Sequence, residues 1–458
     1  MARRNAATDP GLPGSLFGDY DIRGRYPRDF SALTCRRIAD AFLSATRGPF
    51  VVAIDTRRAS ARLERSIVGP LTQGGRTVLR LGVQPTPVVG FASSQLGRNG
   101  LVFTPSHNAL GDAGIKAFGR TGKSLGAEWS RIRRAYVRPE RRARARATVQ
   151  SPGGPDQNPR TTTDAVVAAY LSHVTRGLDS SLSVVVDGRG GATSRLAPRA
   201  LRLLGGNVTE LHPHFSSAFY GLSPEPQPEN VHDLGRAVRG RGADLGVAFD
   251  GDGDRVAFVD ERGKWVEPEV VGLFLHRSLS SADRPLVASV DASQRCEGAA
   301  LTVRSRVGSR YLSAAMRAHG SSVGFEVSSH FYLRRWGPNS DGILTACVVC
   351  HLLAREQTSL GALARAFGPI VRDRRVLEFS TRAQAVEQYR GLQMALGQRL
   401  EKVVDGFKLR ARDGSILLRL SNTQPAIRLV LEPDPGRSLA ALRRVWSQVS
   451  KQYRLPRP

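Results

Sequence analysis

Lysine is nearly missing from this chain. Of 67 lysine and arginine residues only six are lysines, at 116, 123, 264, 402, 408 and 451. The arginines run through the whole chain, a skew that fits GC-rich codon usage better than selection for a polyanion. A formal charge of +27 therefore does not by itself name nucleic acid as a partner, and no specific nucleic-acid partner is expected. Cysteine is scarce too, with four residues at 35, 296, 347 and 350. That is too few for a disulfide framework. Cys347 and Cys350 form a lone CxxC inside an apolar run, and no second pair lies near enough to complete a zinc site. Buried thiols in a reducing compartment are the expectation. Long hydrophobic runs are absent: the longest is about 12 residues, against roughly 20 for a bilayer-spanning helix. The start, MARRNAATDPGLPG, has no apolar core of a signal peptide. A cytoplasmic protein without a membrane partner is expected.

What is present is an ordinary globular composition, 41% hydrophobic, in a chain of 458 residues. That length suits about three or four domains. Strand-like runs at 50–54, 77–81 and 101–103 follow a helical stretch at 31–46. A dense basic run at 131–146 leads into a Pro- and Gly-rich linker at 150–163. Helical and strand-like stretches then alternate: helix 164–175, strand 182–186, helix 194–204, strand 207–211, helix 231–241, strand 245–249. The alternation repeats with helix 267–280, strand 285–290, helix 309–319, strand 322–325 and helix 341–354. Such alternation is the signature of α/β units. From about 374 the strands run consecutively, near 374–379, 403–411, 415–420 and 426–432, with helices near 381–399 and 438–453. That unit reads as α+β.

The strongest chemical signal is FDGDGDR at 249–255. An apolar strand feeds Asp250, Asp252 and Asp254, separated by two glycines that let the backbone bend. Three carboxylates so close repel one another unless a cation sits among them. Hard oxygen ligands favour Mg²⁺. A calcium EF-hand loop is excluded, because its sixth position would be Arg255 where the sharp turn needs glycine. Open positions on Mg²⁺ commonly take phosphate oxygens, which points to phosphoryl transfer. A second stretch, FTPSHNALGDAGIK at 103–116, places Ser106, His107 and Asn108 just past a strand and adds Lys116. The serine hydroxyl can carry a phosphoryl group, and the lysine can move a proton or anchor phosphate. A third, RLSNTQPAIR at 419–428, gathers Arg419, Ser421, Asn422, Thr423 and Arg428 as a phosphate cradle. A fourth, FEVSSH at 325–330, alternates Glu326, Ser328 and His330, which a strand would turn to one side toward sugar hydroxyls.

Together these stretches resemble the α-D-phosphohexomutases, in particular the phosphomannomutase/phosphoglucomutase group. Thr104 to Asn108 followed by Gly114-Ile115-Lys116 is similar to that family's serine loop. Asp250 to Arg255 matches its metal loop, Glu326-Val327-Ser328 and His330 its sugar loop, and Arg419 to Arg428 its phosphate loop. YDIRG at 20–24 and PEPQPEN at 224–230 also look like this family. The motifs span nearly the whole chain in the family's order.

The resemblance implies an α/β fold of three similar α/β domains with mixed sheets, plus a smaller C-terminal α+β domain, around a central cleft. The domains would be 1–150 with the phosphoserine loop, 151–256 with the metal loop, 257–368 with the sugar loop and 369–458 with the phosphate loop. It implies an isomerase that interconverts a hexose 6-phosphate and a hexose 1-phosphate through phosphoserine and a 1,6-bisphosphate, which also serves as activator. Ser106 would carry the phosphoryl group and complete the Mg²⁺ shell with Asp250, Asp252 and Asp254. Lys116 would be the general acid/base, with His107, Arg23 and Arg255 around the developing charge. Glu326, Ser328 and His330 would hold the sugar, and Arg419, Ser421, Asn422, Thr423 and Arg428 its phosphate. The partner is thus a small phosphosugar; monomer and dimer remain equally open.

The departures bear on the sugar. Phe325 and Ser329 stand where the family has glycines and are expected to reshape the hexose site. A lysine that the family often has near strand 285–290 has no clear counterpart. Mannose is the expected preference with glucose also used. The alternatives are phosphoglucomutase or phosphoglucosamine mutase specificity, the latter fitting PEPQPEN and Glu-Val-Ser poorly, and a non-catalytic sugar-phosphate binder.

If the basic run 131–146 is only a solvated surface, replacing four of its arginines by glutamine leaves turnover unchanged. Any DNA affinity then stays weak and falls steeply with salt; tight binding at physiological salt, measured by fluorescence anisotropy, contradicts this.

Overall fold

A computed structural model describes residues 16–137, 159–421 and 424–453. The motifs above fall within it except Asn422, Thr423, residues 138–146 of the basic run and most of the 150–163 linker, which lie outside the described residues. The chain divides into two compact units, one of residues 1–266 with 329–361, the other of residues 267–328 with 362–458.

The first unit holds two sheets of the same design. In the first, Val78–Val83, Phe50–Ile54 and Asn99–Phe103 lie parallel, and Asp112–Phe118 and then Asp21–Arg25 add on antiparallel. In the second, Asn207–Leu211, Ser183–Asp187 and Leu245–Phe249 lie parallel, followed by antiparallel Val256–Val259 and Trp265–Val266. The parallel strands are joined by helical crossovers, as parallel neighbours require. Central strands buried on both faces read as continuous apolar runs: Leu245–Phe249 is buried at every position. The first core gathers Ile38 and Phe42 from helix Ala32–Ala45, Ile67 and Leu71 from Arg58–Gln73, and Phe50, Phe103 and Ile115 from the sheet. Helix Gly342–Arg355 also belongs to this unit. Asp341 caps its start by accepting from the Leu344 N–H at 3.0 Å, and takes the Tyr170 hydroxyl as well.

The second unit repeats the parallel part, with Thr302–Ser305, Leu286–Ser289 and Val323–Glu326 side by side. Its other sheet is wholly antiparallel, ordered Asp373–Glu378, Ala426–Pro433, Gly414–Leu420, Gly406–Ala411 and Leu400–Val403. Helices Arg382–Leu396 and Leu439–Gln452 cover it, with Leu409, Ile416, Leu429 and Trp446 among its core. The four-domain architecture is thus three α/β domains with mixed sheets and a C-terminal antiparallel-sheet domain.

Three expectations change. The strand near 403–411 is a hairpin, because Gly406 at φ +115° turns the chain so tightly that a Cβ there would lie 2.2 Å from the Leu418 carbonyl. Helices Arg58–Gln73 and Thr86–Leu96 were not visible as periodic stretches; the first contains Gly69 and Pro70 and the second is mostly small or apolar. The alternation of 326–330 is not a strand. Val323–Glu326 ends at the glutamate, 327–329 form a turn, and Ser329 takes a left-handed φ of +66° that breaks the extended backbone.

Among the described residues no helix is long and apolar enough to cross a membrane. All four cysteines are buried free thiols. Burial pushes Cys35 up to about 11 and Cys350 up to about 12, and lifts Cys296 and Cys347 as well. Thiolate is the reactive form, so native protein should release almost no colour with Ellman's reagent over minutes at pH 8. The full four thiols should appear only in guanidinium. Rapid native reaction at Cys347 or Cys350 would contradict the buried placement.

Candidate active site

In the first unit, strand Asn99–Phe103 delivers the chain to Thr104, Pro105 and Ser106. Ser106 is buried with a left-handed φ of +57°, a conformation that costs a non-glycine residue and survives only where neighbours enforce it. The enforcement is visible. The Ser106 N–H donates to Thr104 Oγ1 at 2.8 Å, and Thr104 Oγ1 donates to Asp55 Oδ2 at 2.8 Å. Asp55 also pairs with Arg57 at 2.5 Å, and Arg57 donates to the Asn108 carbonyl at 2.7 Å. Arg23 closes the loop from the other side, donating to the Pro105 carbonyl at 2.9 Å and Asn108 Oδ1 at 2.6 Å while held by Asp21.

The second sheet supplies the facing group. Strand Leu245–Phe249 runs straight into Asp250, and Gly253 bends the loop at φ +74°. Gly251 is required by close approach: a Cβ there would lie 2.8 Å from the Ser106 carbonyl. Ligand oxygens of Asp250, Asp252 and Asp254 fall within 4.8 Å of one another. Ser106 Oγ donates to Asp250 Oδ2 at 2.9 Å. Lys116 reaches across from strand Asp112–Phe118, donating to Asp252 Oδ2 at 2.7 Å and Asp254 Oδ2 at 2.5 Å.

The electrostatics follow from burial and neighbours. Desolvation and the Asp252 and Asp254 charges lift Asp250 well above the usual carboxylate range. Asp254 is also desolvated, yet Lys116, His330 and Arg255 hold it well below that range. Lys116 is desolvated too, but Asp252 and Asp254 raise it, so it is an ammonium at neutral pH. His107 is lowered well below its usual value, by burial and by Arg255, which donates to its Nδ1 at 2.8 Å. His107 is therefore neutral, with Nδ1 3.3 Å from Ser106 Oγ.

The donor set fits a hard divalent cation. Asp252 Oδ1 is buried with no hydrogen-bond partner, and Asp254 Oδ1, also buried, has His330 Nε2 at 3.4 Å. Unpaired carboxylate oxygens in a protein interior are costly, and a metal satisfies them. The triad could hold Mg²⁺, with Ser106 Oγ adjacent through Asp250.

The structure thus brings together Ser106, His107, Arg23, Lys116, the three aspartates, Arg255 and His330. Four residues around the site went unread in the sequence. Glu225, inside PEPQPEN, pairs with Arg255 Nη1, and Thr86 Oγ1 bonds Asp252 Oδ2. The Asp55–Arg57 pair had a usable signal, an acid and a base directly after strand 50–54.

The second unit contains the remaining candidates. Glu326 is buried and accepts the Gly308 N–H at 2.6 Å. Ser328 lies in the turn that follows. Phe325 does not reshape that turn as expected: it is fully buried, and its ring fills the space a Cβ on Gly272 would need, 2.4 Å away. Arg419 is buried, with Asp291 Oδ2 at 3.6 Å and Asp405 Oδ2 at 4.0 Å. Arg428 lies with Nε 3.5 Å from Ser421 Oγ and donates to Gln424 Oε1 at 2.9 Å. Arg382, which sequence patterning did not single out, donates to the Ser421 carbonyl at 2.7 Å.

Comparison with known proteins gives this arrangement its class. Residues 14–141, 164–263 and 271–369 match the phosphoglucomutase/phosphomannomutase α/β/α domains I, II and III, and 377–445 match the C-terminal domain of the same family. The chain belongs to the phosphoglucomutase/phosphomannomutase family, and is a phosphohexomutase-superfamily isomerase. A phosphoglucosamine mutase of Symbiobacterium thermophilum is 32% identical over 96% of this chain and 98% of its own. A probable phosphoglucosamine mutase of Methanothermobacter thermautotrophicus is 31% identical over 91% of this chain and 93% of its own. A family member from Burkholderia thailandensis has a similar fold, with a TM-score of 0.77 at 24% identity over 97% of this chain and all of that one.

Occupancy of the triad should be measurable without turnover. A ligand that binds only the native state at about 100 times its dissociation constant adds about 2.7 kcal/mol of stability. Saturating Mg²⁺ should therefore raise the melting temperature of EDTA-treated protein by several degrees, and should not do so in Asp252→Asn. An equal shift in both proteins would remove the triad as the metal site.

Proposed function

We propose that this protein interconverts the 6-phosphate and 1-phosphate of glucosamine, with Ser106 as the phosphoryl carrier. The observation that carries the reading is Ser106 Oγ, buried and 2.9 Å from Asp250, beside a carboxylate triad whose charge is met by Lys116. The preference for glucosamine over the mannose expected from sequence rests on the relatives at 31–32% identity, which carry the phosphoglucosamine mutase name. Residues 1–150, 151–256, 257–368 and 369–458 are taken as the four domains.

In the forward half-reaction the Ser106 Oγ–P bond breaks as a sugar hydroxyl oxygen bonds to phosphorus, and the hydroxyl proton leaves to a protein base. The Ser106 oxygen takes a proton as it leaves, giving a hexose 1,6-bisphosphate and free Ser106. In the return half the other sugar O–P bond breaks as Ser106 Oγ bonds to phosphorus; the serine proton leaves to a protein base and the sugar oxygen takes a proton. Such transfer depends mainly on positioning and charge. A divalent cation held by Asp250, Asp252 and Asp254 supplies electrostatic stabilisation when bound. Ser106 is held at one angle by Thr104, Asp55 and Arg23. Neutral His107 and the Arg255 guanidinium lie beside it and meet charge developing on the phosphoryl oxygens. Lys116, held as an ammonium, serves the acid half of the proton transfer. Glu326 and Ser328 are assigned to the sugar hydroxyls. Ser421, Asn422, Thr423, Arg419 and Arg428 are assigned to the non-reacting phosphate.

A coupled assay tests this with glucosamine, mannose and glucose 1-phosphates, each with a trace of its 1,6-bisphosphate. Glucosamine 1-phosphate should give the highest kcat/KM, and a fraction of purified molecules should carry about 80 Da on the Ser106 peptide, the mass of one phosphate. Ser106→Ala should lose nearly all turnover. A higher kcat/KM for mannose or glucose replaces the sugar assignment; no turnover of any of the three, or full activity in Ser106→Ala, removes the mutase reading.

A further inference from the structure

In open α/β sheets ligands lie beyond the carboxyl ends of the strands. In the second unit, the central parallel strand Leu286–Ser289 ends in this way beside Val323–Glu326, with Ala288 paired to Phe325. Its last residue already does two things. Ser289 Oγ donates to Asp291 Oδ1 at 2.6 Å and accepts from the Val327 N–H at 3.4 Å. Val327 sits between Glu326 and Ser328, the two residues assigned to the sugar. The other oxygen of Asp291 is 3.6 Å from Arg419 Nη2, in the segment assigned to phosphate. Both side chains are about nine-tenths buried, at 10% and 8% exposure. Despite its burial Asp291 is held below the usual carboxylate range, chiefly by Arg419 and the Ser289 hydroxyl, so it stays charged.

The residues that follow bind the same pair of domains together. Ser293 Oγ donates to Glu432 at 2.5 Å and Gln294 Nε2 to Asp434 at 3.0 Å, both acceptors lying at the end of strand Ala426–Pro433 or just beyond. Asp291 is the member of this segment that touches the proposed phosphate loop.

We propose that Asp291 is a positioning residue that sets Arg419 of the phosphate loop and, through Ser289, Val327 of the sugar loop in a fixed mutual register. This rests on the reading of the protein as a phosphosugar enzyme. An arginine recognises phosphate through a planar fork, and a free guanidinium on a long stem loses that orientation. Asp291 lies 3.6 Å from Nη2 and Asp405 4.0 Å from Nη1, both beyond hydrogen-bond length, so charge aims the fork while its N–H groups are left for phosphate. A phosphosugar held at both ends needs the spacing of the two loops fixed before it binds, because ordering them afterwards subtracts from affinity.

The test uses the full chain and Asp291→Asn, Asp291→Glu, Ser289→Ala, Arg419→Gln and the Asp291→Asn/Arg419→Gln double variant. Calorimetry gives the Kd for glucosamine 6-phosphate, kinetics give KM and kcat, and thermal melts control for folding. Removing one charge of a buried ion pair leaves the other uncompensated, a loss of about 10-fold or more. Asp291→Asn should raise Kd and KM about 10-fold with kcat changed far less. Asp291→Glu should recover most of that loss, which a merely structural role would not predict. The double variant should be no weaker than Arg419→Gln alone, since Asp291 acts through Arg419. If Asp291→Asn does not fold, Ser289→Ala and Asp291→Glu carry the test, and Ser289→Ala should weaken binding in the same direction. Unchanged Kd in folded variants, or fully additive losses in the double variant, overturns the proposal. Wild-type protein that binds no hexose phosphate instead overturns the proposed function, and this inference with it.

Discussion

Three carboxylates within 4.8 Å of one another are the constraint to which the first unit is built. At an effective dielectric constant near 20, each pair of charges at that distance repels by on the order of 3 kcal/mol. The fold answers with Lys116 between Asp252 and Asp254, Arg255 beside Asp250, and His330 against Asp254. Even so, Asp250 is driven toward its neutral form, and a buried oxygen of Asp252 is left without a partner. The protein alone does not balance the site. That residual imbalance is what a divalent cation would resolve, and it is stored in a rigid scaffold of strand ends and tight loops.

The scaffold explains how the serine comes to face the triad. Ser106 and Asp250 both follow the last residues of fully buried parallel strands, Asn99–Phe103 and Leu245–Phe249. A buried strand has little freedom, so its carboxyl end is a fixed platform. The loops above are then pinned by side chains rather than by secondary structure: Asp55, Thr104, Arg57 and Arg23 for the serine, Gly251 and Gly253 for the aspartates. The left-handed serine is the strained element of this arrangement, and the surrounding hydrogen bonds keep it there.

The second unit solves a different problem, that of holding loops of two domains in register. It does so with buried ion pairs and a hydrogen-bonded carboxylate. Arg372 pairs with Glu267 at 2.6 Å and with Glu269, Arg419 lies by Asp291, and Glu432 accepts from Ser293 and Gln294. Buried ion pairs contribute little net stability compared with apolar packing, but breaking one partner is costly. Their directionality suits them to fixing relative position.

Much of this was legible in the chain itself. The strand Leu245–Phe249, the aspartates after it and the serine loop are local in sequence, and local pattern specifies them: an apolar run, alternating acids and glycines, a break at proline. The fold class followed from the alternation of helix and strand, and the antiparallel last domain from its consecutive strands. Tertiary structure decided what no local pattern holds. Lys116 meets Asp252 and Asp254 across 136 and 138 residues, and Arg255 meets Glu225 and His107 across 30 and 148. The alternation of Glu326, Ser328 and His330 looked like one strand face, but Ser329 at φ +66° breaks it, and backbone dihedrals are not encoded by spacing alone. Phe325 looked like bulk in a sugar site and proved to be core, because a glycine 53 residues away, at 272, leaves room for its ring. Sequence determines which chemistry the chain carries, since that depends on residue type and short spacing. The pairing of charges over long separations depends on which strands lie side by side, and only the folded chain settles that.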